Sequence, residues 1–211
     1  MSVRTVTVDH PLVLDALAQI RDASTPNALF RQHLERIGVL LLAEATRSLS
    51  TIETTVTTPV AEAPAQRLAV QPVVVPILRA GLGFLSAAQQ LMPRADIGFI
   101  GIARNEETHD PEPYVNKLPD ELSQRPVIVV DPMLATGGSL IHTLELLVER
   151  GAPTPLTVVC ALCAPEGVDA VDASGIDVTI FTAAIDERLD ERAFIVPGLG
   201  DAGDRQFGTP A

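Results

Sequence analysis

Val127-Ile128-Val129-Val130-Asp131-Pro132-Met133-Leu134-Ala135-Thr136-Gly137-Gly138-Ser139-Leu140 joins four β-branched residues to an acid, a small-residue loop and the start of an apolar-periodic segment. Four β-branched residues in a row are apolar on both faces of an extended chain, the pattern of a central strand in a parallel sheet. Asp131 then stands at the carboxyl end of that strand, where open α/β sheets place their ligands. Ala135 to Ser139 are small enough for a ligand to reach the backbone, and Ser139 and its neighbours open a helix running through Leu140, Leu144 and Leu147. Unpaired N–H groups and a positive dipole end make such a helix start an anion site. An acid that grips a diol, set just before a cradle for phosphate, suits a ribose 5-phosphate. The loop has no lysine and no G-x-x-x-x-G-K-[ST] spacing, so it is not the loop of a nucleoside triphosphatase.

Working outward, Val73 to Leu78, Ile97 to Ile102, Leu156 to Leu162 and Asp177 to Thr182 read as four further buried strands, and Met1 to Val8 alternates like a short one. Strands alternating with helices predict an α/β fold with a mostly parallel five-stranded sheet flanked by helices, as a single domain over residues 1–211. An N-terminal helical layer spans about 9–50. It starts at Asp9-His10-Pro11, resumes at Thr25 as N-cap with Pro26 at the first helical position, and runs to about Leu49. Thr51 to Val60 reads as an exposed strand and Ala61 to Ala65 as a loop. A short helix is expected over Val168 to Ala173, and Gly151 as the C-cap of the helix that follows Ser139. His10 and His33 have no partners at metal spacing, and His142 points onward from the loop, so all three read as structural. Cys160 and Cys163 lie inside an apolar strand and read as buried thiols, not a redox or zinc pair.

Composition removes several function classes. Aromatic residues make up 3% of the chain, with no tryptophan, too few for a base-stacking platform. A formal net charge of -12 disfavours general polyanion binding, so no nucleic-acid partner is expected and any phosphorylated ligand must be met by local arginines and a metal. No apolar run reaches membrane-spanning length, and nothing at the N-terminus resembles a signal peptide. The expectation is a cytoplasmic protein with no membrane partner.

Two other stretches carry chemistry. Arg79-Ala80-Gly81-Leu82-Gly83 follows the strand Val73 to Leu78 and nearly fits a dinucleotide fingerprint, but lacks its third glycine and the acid-ended second strand. Arg79 is better placed as a clamp for pyrophosphate. Near the end, Gly198-Leu199-Gly200-Asp201-Ala202-Gly203 is a literal G-x-G-x-x-G, yet with the chain ending at Ala211 it has no room for a βαβ unit. A nicotinamide dehydrogenase is therefore the weakest reading.

The run Asp131 to Ser139, in the form DPMLATGGS, resembles the phosphoribosyl-diphosphate loop of the type I phosphoribosyltransferases, and specifically the uracil branch, where Pro132 stands in place of a second acid. Arg104-Asn105-Glu106-Glu107-Thr108, followed by Pro111-Glu112-Pro113-Tyr114 and Lys117-Leu118, resembles the mobile arm of that branch, here about 104–119. Ala103 departs from the aromatic that many relatives carry. Residues 194–208, with IPGLGDAGDR-x-FG, resemble its closing base-binding segment. The resemblance implies the type I fold with a β-arm and a small C-terminal hood, and transfer of phosphoribose from 5-phosphoribosyl 1-diphosphate (PRPP) to uracil, giving UMP. It implies that Asp131 holds the ribose hydroxyls and Ala135, Thr136, Gly137, Gly138 and Ser139 bind the 5-phosphate, with Pro132, Met133 and Leu134 in the same loop. It further implies that Arg79 and Arg104 hold the diphosphate, that Asp201 reaches PRPP or its Mg²⁺, and that Ile195, Leu199, Gly200, Asp201 and Ala202 receive uracil. In some relatives GTP is an activator, which makes it a candidate activator here, and the apolar N-terminal layer suggests a homo-oligomer, a dimer or larger. An RNA-binding regulator of pyrimidine genes on the same fold is the alternative.

Overall fold

The computed structural model describes residues 3–104 and 111–208, with backbone alone at 103, 104 and 111–113. In chain order the elements are β1 (Arg4–Thr7), α1 (Pro11–Arg21), α2 (Asn27–Ala45), β2 (Thr51–Thr57), β3 (Glu62–Leu68) and β4 (Val73–Leu78). A 3-10 turn (Ala80–Phe84) leads into α3 (Leu85–Leu91), β5 (Asp96–Ile97), β6 (Phe99–Arg104) and β7 (Pro111–Lys117). Then follow β8 (Val127–Val130), β9 (Met133–Leu134), α4 (Gly138–Glu149), β10 (Leu156–Cys163), α5 (Pro165–Ala173), β11 (Val178–Ile185), β12 (Arg188–Leu189), β13 (Ile195–Val196) and α6 (Ala202–Phe207).

The five expected strands lie side by side in one sheet of order β1-β11-β10-β8-β4-β6-β7, in which all neighbours are parallel except β6 and β7. The sheet is wider than five because β1 adds to one edge and β7 to the other. β8 sits at its centre, and its side chains alternate between two cores. Ile128 and Val130 face α1, α2 and α3, while Val127 and Val129 face Leu140, Leu144 and Leu147 of α4 and Val171 of α5. Both cysteines are free and buried in the second core. Hydrogen bonding with Cys163 and burial push the Cys160 thiol well above its usual range, which keeps it protonated and inert.

Several local expectations shift. Thr25 does not cap α2, which begins at Asn27 with Pro26 in the cap position and no side-chain cap; the Thr25 hydroxyl instead donates to the Gln19 carbonyl (2.7 Å). That helix stops at Ala45, short of Leu49, where the Thr46 hydroxyl takes the Leu42 carbonyl (2.7 Å). Ala61 to Ala65 is not a loop, because residues from Glu62 onward form β3, antiparallel to β2. Pro64 is tolerated there because a two-stranded ribbon leaves an N–H-free edge position open to solvent. α5 starts three residues before the expected Val168, with Pro165 in its first turn. His10 is structural as expected, its Nδ1 accepting the Leu12 N–H (3.1 Å) to cap α1.

Candidate active site

β8 delivers Asp131 to the carboxyl edge of the sheet, and β10 fixes the loop that follows. The Asp131 N–H donates to the Val159 carbonyl (3.1 Å), and the Pro132 carbonyl accepts from Ala161 (2.9 Å) and Leu162 (3.0 Å). Met133 and Leu134 then pair with β10 as β9. With that anchor the chain turns back at Gly137, whose φ of 86° is the left-handed value that glycine adopts at no steric cost. Gly137 is the N-cap of α4 and no side chain caps that helix start. The leading amides of α4 therefore face a cavity of about 70 Å³ lined by Asp131 and by Met133 through Leu140. Burial pushes the Asp131 carboxyl up to about 7. The Met133 N–H (3.4 Å) partly offsets that rise, and the nearby negative charge of Asp201 adds to it.

A second pocket of about 370 Å³ adjoins the first and shares Met133 with it. Its other walls are Ala80, the segment Arg192 to Ile195, and Gly200 to Gly203. β12 and β13 pair antiparallel at its rim. Between them the Asp190 carboxylate gathers the N–H groups of Arg192 (2.9 Å) and Phe194 (2.8 Å), closing a tight loop against the opening. Asp201 caps α6 by accepting the Asp204 N–H (2.8 Å). Arg79 leaves β4 with a half-exposed side chain, and its Nη2 lies 3.4 Å from Asp204 Oδ1. Gln206, fully buried, donates to the carbonyls of Ala80 (3.0 Å) and Ala202 (2.8 Å), so α6 is pinned against the turn that carries Arg79.

The site is two adjoining concavities, one floored by the start of a helix and one by glycine-rich backbone, with the Asp131 carboxylate lining the first and that of Asp201 the second. Residues 6–209 match the family model described as uracil phosphoribosyltransferase. The chain is 52% identical over 201 residues to the uracil phosphoribosyltransferase of Corynebacterium glutamicum, covering 95% of each chain, and equally identical to that of Corynebacterium diphtheriae. The chain belongs to the uracil phosphoribosyltransferase family. Its fold superposes on the AQ2163 protein of Aquifex aeolicus with a TM-score of 0.91 at 38% identity, covering 97% of this chain and 98% of that one. A hypoxanthine-guanine phosphoribosyltransferase of Bacillus anthracis shares the fold at 17% identity, covering 76% of this chain and 80% of that one, with a TM-score of 0.50.

Within this family member, Asp131 and Met133 to Ser139 surround one cavity, and Ile195, Gly200, Asp201 and Ala202 line the other. Pro132 is buried beneath the loop and Leu199 is buried behind the glycine-rich turn of residues 198–200. Arg104 ends β6, and its side chain, like residues 105–110 of the arm, lies outside the described residues. The pocket also recruits Ala80, Arg192, Ala193 and Phe194, and Asp204 pairs with Arg79. Asp190, spaced to receive the amides of Arg192 and Phe194, is the sequence signal for the first group. Asp204 could be found only from the fold, which carries α6 back to the end of β4.

Proposed function

We infer that this chain transfers the 5-phosphoribosyl group of PRPP to N1 of uracil, forming UMP and releasing diphosphate. The observation that carries the reading is the join at Met133 between the amide-lined cavity and the backbone-lined pocket, an arrangement that would set a sugar phosphate edge to edge with a base. In this reading the amides at the start of α4 bind the 5-phosphate and Asp131 accepts from the ribose hydroxyls. Arg79 and Arg104 hold the diphosphate. The bond that breaks joins the anomeric carbon to a diphosphate oxygen, so positive charge grows on the sugar while negative charge grows on the leaving group. Arg79 stabilises the latter, and the Asp131 carboxylate lies on the sugar side. The second pocket holds uracil in line, which supplies the proximity contribution.

Mg²⁺ fits the donor set. Burial is the main cause of the raised Asp131 pKa, and the negative charge of Asp201 across the junction adds to it. A divalent cation held by PRPP oxygens near Asp201 would relieve the repulsion between the two carboxylates. When bound, it would supply charge neutralisation at the diphosphate. Among the described residues no three acidic, histidine or cysteine side chains cluster as a metal site, so the substrate oxygens would provide most of the ligands.

The reading extends to a cytoplasmic enzyme, a homo-oligomer of two or more copies, and GTP as activator. Among the described residues no helix is long and apolar enough to cross a membrane. The RNA-regulator alternative finds no support in the family match, and the acidic balance opposes it. The deciding experiment follows UMP formation from uracil and PRPP with and without Mg²⁺. Absence of UMP with both substrates and metal present would refute the reading.

A further inference from the structure

The pocket segment that receives the base under the proposed function contains Gly198 and Gly200, both at positive φ (61° and 80°), so two of the three residues of the turn have no side chain and only Leu199 anchors it from within, in the core. Two arginines from outside the pocket hold its backbone. Arg21, the last residue of α1, donates Nη2 to Asp186 Oδ1 (2.5 Å) and Nη1 to Asp186 Oδ2 (2.8 Å), and Nη1 also reaches the Gly198 carbonyl (2.8 Å). Asp186 Oδ2 accepts the Gly198 N–H as well (2.8 Å). Both main-chain polar groups of Gly198 are thus bound by one ion pair, whose carboxylate side chain is only 4% exposed. Arg205 of α6 takes the next carbonyl. Its Nη1 donates to Leu199 O (2.8 Å) and Ile20 O (2.9 Å), its Nη2 donates to Asp22 O (2.7 Å), and its guanidinium lies 4.6 Å from the centre of the Phe30 ring.

The geometry has a direct consequence for recognition. A trans peptide is planar, with its C=O and N–H pointing opposite ways. Drawing Leu199 O toward Arg205 therefore turns the Gly200 N–H away from Arg205, on a residue that lines the base pocket. Arg21 and Asp186 prevent the preceding peptides from rotating to compensate. We propose that Arg21, Asp186 and Arg205 are positioning residues that set the hydrogen-bond polarity of the base pocket, and so determine affinity for uracil and its discrimination from cytosine. None of the three lines the pocket; each acts through the backbone of Gly198 to Gly200. The proposal rests on the reading that this segment receives uracil.

Arg21→Lys keeps the charge but loses the fork that spans both Asp186 oxygens and the Gly198 carbonyl. The expected result is a KM for uracil raised about tenfold or more, a KM for PRPP changed less than about twofold, and a loss of uracil-over-cytosine preference of similar size to the uracil effect. Arg205→Lys should show the same asymmetry. A purely structural role would lower thermal stability and active fraction without separating the two KM values. Parallel rises in both, or no change in either in a folded variant, would overturn the proposal. If Arg21→Lys does not fold, Arg205→Lys is judged by the same ratio, and failure of both to fold would assign the network to stability alone. Wild-type enzyme and Gly200→Val serve as controls. A wild type that makes no UMP refutes the function, and a fully active Gly200→Val relocates the base, whereas unaltered KM ratios beside a normal wild type refute only the positioning role.

Discussion

Asp131 shows how a single residue trades stability for function. Its carboxyl titrates near 7 in the fold against an ordinary value of 3.8, so the folded state holds the proton more tightly than the unfolded chain. The sign follows from that inequality. The fold carries no charge penalty from Asp131 below about pH 3.8, and stability is lost progressively as pH rises through about 7. Asp131→Asn should therefore raise the melting temperature of the ligand-free protein at pH 8 and leave it nearly unchanged near pH 3.5. The same substitution should cut UMP formation at least about tenfold, because a charged acceptor for the ribose hydroxyls is gone. In the wild type, kcat/KM should climb as the carboxyl ionises around pH 7, and that step should vanish in the Asn variant. A wild-type profile flat from pH 6 to 8 would remove Asp131 from the reaction. Arg79 is the complementary case, a half-exposed cation held only loosely by Asp204 at 3.4 Å and so available to a stronger anion. Arg79→Ala should depress turnover on PRPP while UMP binding, which involves no diphosphate, weakens much less; equal losses for both ligands would place Arg79 elsewhere.

At the scale of elements, the site is built where strands hand over to turns. The loop after β8 is tied to β10 through the main-chain carbonyl of Pro132, a residue that lines neither cavity. The turn of residues 198–200, assigned to the base under the proposed function, is shaped differently, by glycines. A Cβ on Gly200 would meet nothing closer than Arg205 Cδ at 3.9 Å, so the obstacle to a side chain there is the backbone conformation, with φ at 80°, and not crowding. Gly200→Val must leave the left-handed region, rotating the N–H that faces the pocket. The variant should stay folded and lose UMP formation. Wild-type discrimination against cytosine should reach roughly four orders of magnitude, since mismatched donors and acceptors would be left buried without partners. Normal activity in Gly200→Val, with cytosine still rejected, would show that this turn does not read the base.

At the scale of the molecule, the two cores are separated by the sheet, and the helical layer of residues 9–50 is consumed by one of them. Leu17, Ile20, Phe30, Leu34, Ile37 and Leu41 are all buried against the sheet or each other, so the apolar content of that layer serves internal packing. What it leaves outside is Leu12, Leu14 and Leu29, each nearly half exposed, while the β2–β3 ribbon adds Ile52 and the fully exposed Val60. Sedimentation velocity should find a dimer or larger, and a species of 22.4 kDa at micromolar concentration would contradict the oligomer. The strands, Asp131 and the helix start at Gly137 to Ser139 were legible in the chain because each depends on neighbours within a few residues: β-branched runs bury on both faces, and a small-residue loop before an apolar period marks a strand-to-helix turn. The five-strand pattern also gave the parallel sheet. The pairing of Arg79 with Asp204, the clamp of Arg21 and Asp186 on Gly198, and the second strand hidden in Ala61 to Ala65 were not legible. The first two depend on partners up to 177 residues apart, as between Arg21 and Gly198, and hydrogen bonds over such separations carry no periodic signal; the strand was hidden because alanine and proline are poor strand formers and read as a loop. Local propensity determined the elements and the loop at the start of α4. Only the closure of α6 and the turn of residues 198–200 onto α1 and the end of β4 decided the second pocket, because its walls come from segments that no local preference brings together.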